Sequence, residues 1–410
     1  MSNQRTWSVS AEWILPADGT VHRRAIMRGR GSVIEAVGSE STISPAVHHR
    51  ELGELAVLPG LVNAHTHLEL THLRGRLPAR RPLPQWLYAL KTHWPAVADT
   101  GGAVADGAAE ALETGTTAIA DTCHNNSAWR VLKQTPLRSV CYAEVMGIGP
   151  LAEGAFERLR KHIRGCRATK KLHFGLCPHA PYTTGEEVYR QTVALAHRRH
   201  WPLATHLAET EGERQLLLHG SGKLLDFLLH MGLLNSSVQM PDCTPVDFAR
   251  RVGILDGPAS LLHCNFIDDR ELKLLAATNV SVVCCPGSND FFGRSGHRYA
   301  EMLAAGINVA VGTDSLASNE SLDMLAELQR IRTEGKVDNQ TILKMGTVNG
   351  AQAMGLAETI GTLQPGKQAD WIAVKVPHDT PAPLEDILIG KGRVMEVHIA
   401  GKLACTNRSP

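Results

Sequence analysis

No hydrophobic run in this sequence approaches the roughly 20 residues that a membrane-spanning helix needs. The first residues, MSNQRTWSVSAEW, lack both the basic end and the apolar stretch of a secretory signal. An excess of one charge is also missing, because 42 Lys and Arg face 41 Asp and Glu, for a formal net charge of +1. Nucleic acids and anionic membranes attract clustered positive charge, so neither is expected as a partner.

A paired cysteine framework is missing as well. The nine cysteines are an odd number and are scattered along the chain, which favours reduced thiols in a cytoplasm over disulfides. At 43% hydrophobic and 20% charged residues, the composition is typical of an ordinary globular protein. Histidine, in contrast, is abundant, and its 20 copies direct the search toward metal ligands.

Both ends of the chain contain segments that are typical of β-strands. They are WSVSAEWIL, HRRAIMRG and GSVIEAVG near the start, and DWIAVKV and VMEVHIAGKLAC near the end. Turn residues lie between neighbouring segments, at Ala17-Asp18-Gly19 and at Ala400-Gly401-Lys402. We therefore predict a small β-sandwich domain built from residues 1–58 and 365–410. Two independent β extensions are the alternative.

Between these ends, short apolar runs alternate with amphipathic segments such as residues 211–230. The eight runs begin at Leu61, Thr116, Leu137, Leu172, Pro202, Ala259, Val280 and Asn308. Short apolar runs suit strands that are buried on both faces, and eight strands alternating with helices make a (β/α)8 barrel. The prediction is an α/β protein in which residues 59–364 form a TIM-like barrel. An open doubly wound sheet would need a Gly-rich loop after its first strand, and this strand ends in histidines.

Nearly every run is apolar at its start and polar at its end, which is where barrel enzymes place their chemistry. His65 and His67 are two residues apart in an extended segment, so both imidazoles face the same side. His206 ends the fifth run, and Asp314 ends the eighth, where a buried carboxylate needs a partner. Three imidazoles and one carboxylate predict a site for one divalent metal ion, with zinc preferred and iron left open.

Taken together, the motifs resemble the amidohydrolase superfamily, and more narrowly its cytosine deaminase and chlorohydrolase branch. That branch includes deaminases of S-adenosylhomocysteine, methylthioadenosine and aminodeoxyfutalosine. The resemblance covers nearly the whole chain and is carried by PGLVNAHTH (59–67), THLAE (205–209), His263-Cys264, GTDS (312–315) and the G-x-L-x-P-G-K-x-A-D stretch (361–370). It implies a metal-dependent hydrolytic deaminase of an aminated heteroaromatic ring, with the adenine of a modified nucleoside as the leading small-molecule substrate.

Residue by residue, the resemblance implies that His65, His67, His206 and Asp314 bind the metal. Asp314 also takes a proton from the metal-bound water. Glu209 matches the proton-shuttling glutamate and His263 the histidine that orients this water. The simpler alternatives are a helix N-terminal charge for Glu209 and a core histidine for His263.

Three further residues are expected to contact substrate. His179 matches a substrate contact after the fourth strand, and Trp86 matches a residue on the loop after the first strand that helps close the pocket. Glu69 could reach substrate from the mouth, although a solvated loop carboxylate is equally open. The chain departs from the adenosylhomocysteine subgroup at Leu70, where that subgroup commonly has Met.

Two-metal members of the superfamily bridge their ions with a carbamylated lysine at the end of the fourth strand. The run LHFGLCPHA contains no lysine, which predicts a single metal ion. A chlorohydrolase or N-alkylamine hydrolase acting on triazine-like rings is the alternative activity, and a catalytically silent metal-binding barrel is a third interpretation. Dimers are common in the family, which leaves a homodimer open.

Overall fold

The computed structural model describes residues 5–94, 100–235 and 239–407. Its strands are β1 (Thr6–Ile14), β2 (His22–Arg30), β3 (Val33–Ser39), β4 (His48–Glu51), β5 (Leu55–Pro59), β6 (Leu61–Thr66), β7 (Thr116–Cys123), β8 (Arg138–Val145), β9 (Leu172–Pro178), β10 (Ala204–Leu207), β11 (Ser260–His263), β12 (Ser281–Cys284), β13 (Asn308–Val311), β14 (Trp371–Lys375), β15 (Arg393–Ile399) and β16 (Lys402–Thr406).

The helices are α1 (Leu83–Thr92), α2 (Thr100–Glu113), α3 (Ser127–Leu132), α4 (Ala155–Ile163), α5 (Glu186–Arg199), α6 (Glu211–His219), α7 (Lys223–His230), α8 (Pro245–Arg251), α9 (Asp269–Ala276), α10 (Pro286–Phe292), α11 (Tyr299–Ala304), α12 (Met324–Glu334), α13 (Asn339–Met345), α14 (Val348–Ala353) and α15 (Pro383–Asp386). Short 3-10 turns occupy Leu68–Leu73, Gly149–Leu151 and Ile254–Asp256, and a π-type turn occupies Ile387–Lys391. Within the described ranges, no helix is long and apolar enough to cross a membrane.

The two ends of the chain pair in one mixed sheet of eight strands. Seven lie in the order β16-β15-β14-β5-β1-β2-β3, and β4 pairs with β1. The ends meet where β5 and β14 run antiparallel, from Pro59 opposite Trp371 to Leu55 opposite Lys375. In the β15–β16 turn, Ala400 and Gly401 both have positive φ, as the favoured two-residue hairpin turns require. Strands from the two chain ends therefore pair with each other, and all eight belong to a single sheet.

The middle of the chain forms two four-stranded parallel sheets, β6-β7-β8-β9 and β10-β11-β12-β13. Each of the eight predicted apolar runs contains one of these strands. Nearly every residue of the eight strands is buried, which explains why the runs are apolar without alternation.

The ladder of hydrogen bonds is interrupted where the two sheets meet. Between β9 and β10 there is one bridge, from Leu176 to Leu203, and the backbone N–H of His206 donates to the carbonyl of His179 at 2.8 Å. The sheets therefore do not share a continuous eight-stranded ladder. Polar residues from their strand ends nevertheless surround one cavity.

The amphipathic segment 211–230 forms two helices. Gly220 (φ 55°) ends α6 in the left-handed helical conformation, and Gly222, also at positive φ (99°), leads the chain into α7. This break positions α7 to cover the cavity, because Phe227 and Leu228 line its wall.

Candidate active site

The four predicted ligands lie together at the strand ends. His65 and His67 come from the end of β6, His206 from β10, and Asp314 from the segment after β13. The ligand atoms of the three histidines all lie within 4.8 Å of one another. The Nε2 atoms of His67 and His206 are 3.3 Å apart, and Asp314 Oδ1 lies 3.6 Å from His65 Nε2 and 3.9 Å from His67 Nε2.

Neighbouring groups fix the orientation of two of these side chains. His206 Nδ1 donates to the carbonyl of His179 at 3.0 Å, which leaves its Nε2 free to act as a ligand. Asp314 Oδ2 accepts hydrogen bonds from the hydroxyls of Ser288 and Ser318, both at 2.8 Å. Asp314 Oδ1 accepts from the backbone N–H of Ser315 at 2.7 Å.

Burial also sets protonation states that suit a metal. It lowers the pKa of His65 to about 4 and that of His67 to about 3, so both imidazoles are neutral at pH 7. Burial alone would raise the pKa of Asp314. Its interactions with His65, His263 and His67 outweigh burial and hold that pKa well below the usual range. Neutral imidazole and ionised carboxylate are the forms that ligate metal ions.

The donor set fits a tetrahedral ion. The buried Nε2 atom of His65 has no hydrogen-bond partner among the described residues. Two nitrogens each bound at about 2.1 Å to a tetrahedral zinc ion lie about 3.4 Å apart, which agrees with the measured distance between His67 and His206.

His263 lies beside this cluster at the end of β11. Its ring centroid is 5.6 Å from that of His65 and 5.5 Å from that of His206, and it lines the cavity. Its backbone has φ 73°, and its carbonyl accepts a hydrogen bond from His297 Nε2 at 2.8 Å. Burial lowers the pKa of His263 well below its usual value, so the ring is neutral.

Glu209 also lines the cavity. Its Oε1 accepts hydrogen bonds from both Nη atoms of Arg294, each at 3.2 Å. The N-cap of α6 is Thr210, whose hydroxyl accepts from the backbone N–H of Glu213 at 3.1 Å. Thr210 therefore accepts the hydrogen bond that caps this helix. Glu209 instead lines the cavity, together with His206 and His263.

Two of the three residues expected to contact substrate line the cavity, and the third lies outside it. His179 and Trp86 line the cavity, but Glu69 does not. The Glu69 carboxylate is buried, contacts His124 Nδ1, and accepts from Asn125 Nδ2 at 3.2 Å. Leu70, which departs from the subgroup pattern, lines the cavity.

Sequence reasoning missed Glu144 and His124, which extend this cluster. Glu144 Oε2 lies 2.5 Å from His124 Nε2, and Glu144 Oε1 lies 3.6 Å from His179 Nε2. Burial lowers the pKa of His124, but the carboxylates of Glu144 and Glu69 raise it well above the usual value and make the ring cationic. Glu144 is the last polar residue of the run from Leu137, so the signal that found the metal ligands was present there too.

The cavity has a volume of about 290 Å³. Its polar lining includes the histidines, Glu209 and Asp314. Its apolar lining comes from Leu83, Leu87 and Leu90 of α1, from Phe227 and Leu228 of α7, and from Met146, Met231, Leu233 and Phe292. Lys91 also lines the cavity, and its Nζ atom lies 3.8 Å from the sulfur of Met231. Such a cavity suits a ligand with a polar reacting group and an apolar substituent.

The sequence profile of the amidohydrolase family matches residues 56–404. A 5-methylthioadenosine/S-adenosylhomocysteine deaminase from Teredinibacter turnerae is 32% identical over 408 residues, covering 91% of this chain and 85% of that protein. A 5'-deoxyadenosine deaminase from Methanothermobacter thermautotrophicus is 31% identical over 346 residues, covering 79% and 75%.

Among solved structures, a zinc-bound adenosine deaminase from Xanthomonas campestris has a TM-score of 0.77 at 26% identity, covering 97% of this chain and 92% of that one. Aminofutalosine deaminase from Helicobacter pylori has the same fold, with a TM-score of 0.88 at 20% identity and coverage of 97% and 100%. The profile match and the curated relatives show that this chain belongs to the amidohydrolase family.

Proposed function

We propose that this amidohydrolase removes the amino group from the adenine ring of a nucleoside with a modified 5' position, releasing ammonia and leaving an oxo group. The observation that carries the proposal is that Glu209 and His263 line the same cavity as His67, His206 and Asp314. The names of the curated relatives support adenine nucleosides as the substrate class.

His65, His67, His206 and Asp314 are proposed to hold one divalent cation, with zinc preferred. Bound there, the cation would act as a Lewis acid and make hydroxide available near neutral pH. A single ion is supported by the end of β9, where Cys177 and Pro178 stand and no described lysine follows before β10.

The side chains of this chain then move the protons. Asp314 accepts the proton of the attacking water, whose oxygen forms a bond to the ring carbon that bears the amino group. Neutral His263 orients that water and stabilises charge on its oxygen. Glu209 carries the second proton of this water to the adjacent ring nitrogen. The proton held by Asp314 then passes by way of Glu209 to the amine, so that the carbon–nitrogen bond breaks, ammonia leaves and the oxo group remains.

His179 and Trp86 are proposed to contact the substrate ring and ribose. Glu69 is proposed to act on His179 indirectly, because its carboxylate contacts His124, which in turn contacts Glu144 beside His179. The apolar lining residues of the cavity would receive the 5' substituent. We therefore expect 5'-deoxyadenosine and methylthioadenosine to have higher kcat/KM than adenosine.

We further infer that the two parallel sheets are halves of a (β/α)8 barrel over residues 59–364. We also infer that residues 1–58 and 365–410 form a small β-sandwich, in which the eight-stranded sheet folds over on itself. The barrel is supported by backbone hydrogen bonds across both seams, from His206 to His179 and from Asp314 to His65. A cytoplasmic location is supported by nine cysteines that are all free thiols.

Ammonia release tests the proposed activity. The metal-loaded protein is assayed with adenosine, 5'-deoxyadenosine, methylthioadenosine, adenosylhomocysteine and aminodeoxyfutalosine, beside a pterin and a pyrimidine. We expect turnover of the 5'-modified adenine nucleosides. Failure with every adenine nucleoside would overturn the proposal, and release of chloride or alkylamine from triazines without any ammonia would establish the alternative activity.

A further inference from the structure

We propose that Arg294 is a positioning residue that holds the Glu209 carboxylate in place for proton transfer, an inference that rests on the proposed function. Arg294 follows α10 and comes from a different loop than Glu209. Both of its terminal nitrogens lie 3.2 Å from Glu209 Oε1. No motif in the sequence links these two residues, which are 85 positions apart.

The surroundings of the pair explain why Glu209 needs this partner. The side chain of Glu209 is 8% exposed and that of Arg294 is 11% exposed, so both charges are largely removed from water. A buried carboxylate without a cation is costly and tends to take up a proton or turn away. A carboxylate that passes protons between water and substrate has to keep a fixed orientation, and the two contacts from Arg294 provide it.

The guanidinium is itself held in place by its own loop. It lies over the ring of Phe292, 4.2 Å from the ring centroid. Phe292 packs edge-on against Trp86, with 5.5 Å between ring centroids. The backbone N–H of Arg294 donates to the carbonyl of Asn289 at 2.8 Å, after Gly293 (φ 69°) turns the chain at the end of α10. Arg294 therefore approaches Glu209 from a packed support.

The contact also leaves one carboxylate oxygen for chemistry. Arg294 donates to Oε1 only, and no residue within the described ranges donates to Glu209 Oε2. The backbone of Glu209 is fixed separately, because its N–H donates to Glu213 Oε2 at 2.9 Å and its carbonyl accepts from Asn265 Nδ2 at 3.1 Å. Arg294 thus controls the side chain, whereas Glu213 and Asn265 control the main chain.

A double-mutant cycle tests this role in the zinc-loaded full chain, with the nucleoside that the activity assay finds best. We expect Arg294→Ala to lower kcat by up to about 100-fold, the scale of loss when a catalytic group is misplaced. KM and zinc content should stay close to those of the unmodified protein. Arg294→Lys should recover part of the rate, and added guanidinium ion should raise kcat of Arg294→Ala. In a Glu209→Gln background, Arg294→Ala should cause no further loss.

Arg298→Ala is the matched control. Arg298 lies four residues further on and pairs with Asp269 and Glu301 outside the cavity, so its variant should keep kcat. An unchanged kcat for Arg294→Ala, or an equal loss with and without Glu209, would overturn the inference. The Glu209→Gln variant alone separates the two proposals, because its retention of full activity would instead reject the proposed role of Glu209.

Discussion

The backbone N–H of Asp314 donates to the carbonyl of His65 at 3.0 Å, and the Oδ1 atom of Asp314 lies 3.6 Å from His65 Nε2. The contact joins the end of β13 to the end of β6, across an interruption in the strand ladder. The first and last residues of the proposed ligand set are therefore positioned by the main chain as well as by their side chains. Small changes in the backbone at this seam should disturb metal binding.

Gly312 tests this relationship. A Cβ atom added at Gly312 would lie 2.8 Å from the Cβ, N and O atoms of His65, closer than such atoms approach in proteins. We expect Gly312→Ala to move β13 away from β6 and to lower zinc content and activity together, both measured on purified protein. Gly101→Ala is the control, because its new Cβ would meet nothing within 4 Å. Full zinc content in Gly312→Ala would contradict this prediction.

The sequence predicted the eight central strands because strands buried on both faces need continuous apolar runs. It also predicted that His65, His206 and Asp314 converge, since the polar ends of parallel strands meet at one edge of a sheet. Neither inference required knowledge of the loops. The break between α6 and α7 was missed because amphipathic periodicity continues across Gly220.

Partners that come from separate loops could not be predicted in this way. The contact of Glu209 with Arg294, and that of Glu69 with His124, depends on how two loops fold over the strand ends. Periodicity carries no information on such pairs. Likewise, the single mixed sheet formed by both chain ends has a strand order that short alternating segments do not specify.

Metal binding is tested by two single variants, each of which replaces one of two nearby histidines. His67→Ala removes a proposed ligand, so we expect it to lose most of its zinc and its activity. His72 lies in the turn that follows, and its exposed side chain contacts Asp106 at 2.9 Å. We therefore expect His72→Ala to keep about one zinc per chain. Elemental analysis measures both. Two zinc ions per unmodified chain would contradict the single-ion prediction.

Trp86 tests the wall of the cavity. Its Nε1–H donates to the carbonyl of Ala317 at 3.1 Å, and its ring lines the cavity beside Phe292. Trp86→Phe keeps an aromatic ring but loses the hydrogen bond that holds it against Ala317, worth about 1 kcal/mol. Because the cavity wall is then held less firmly, we expect weaker substrate binding and a higher KM. Trp86→Ala should raise KM further. Steady-state kinetics measure both variants, with Tyr88→Phe on the exposed face of α1 as the control.

Glu213 should make stability depend on pH. Its buried carboxyl accepts hydrogen bonds from the backbone N–H groups of Ala208 and Glu209, and burial raises its pKa from 4.5 to about 8. The folded protein therefore keeps a proton on Glu213 that the unfolded chain releases above pH 4.5. Because folding takes up this proton, the group lowers the free energy of unfolding as pH rises from 4.5 toward 8, by up to about 1.4 kcal/mol per pH unit.

Glu213→Gln removes this titration. We expect the free energy of unfolding in urea, measured at pH 5, 6.5 and 8 on zinc-loaded protein, to fall less steeply with pH in the variant than in the unmodified chain. Glu211→Gln, an exposed change in the first turn of the same helix, should keep the original slope. If the Glu213 variant and the unmodified chain lose stability in parallel, the prediction is wrong. The Glu213 carboxyl would then be ionised in the folded protein at neutral pH, because the hydrogen bonds from the two backbone N–H groups outweigh its burial.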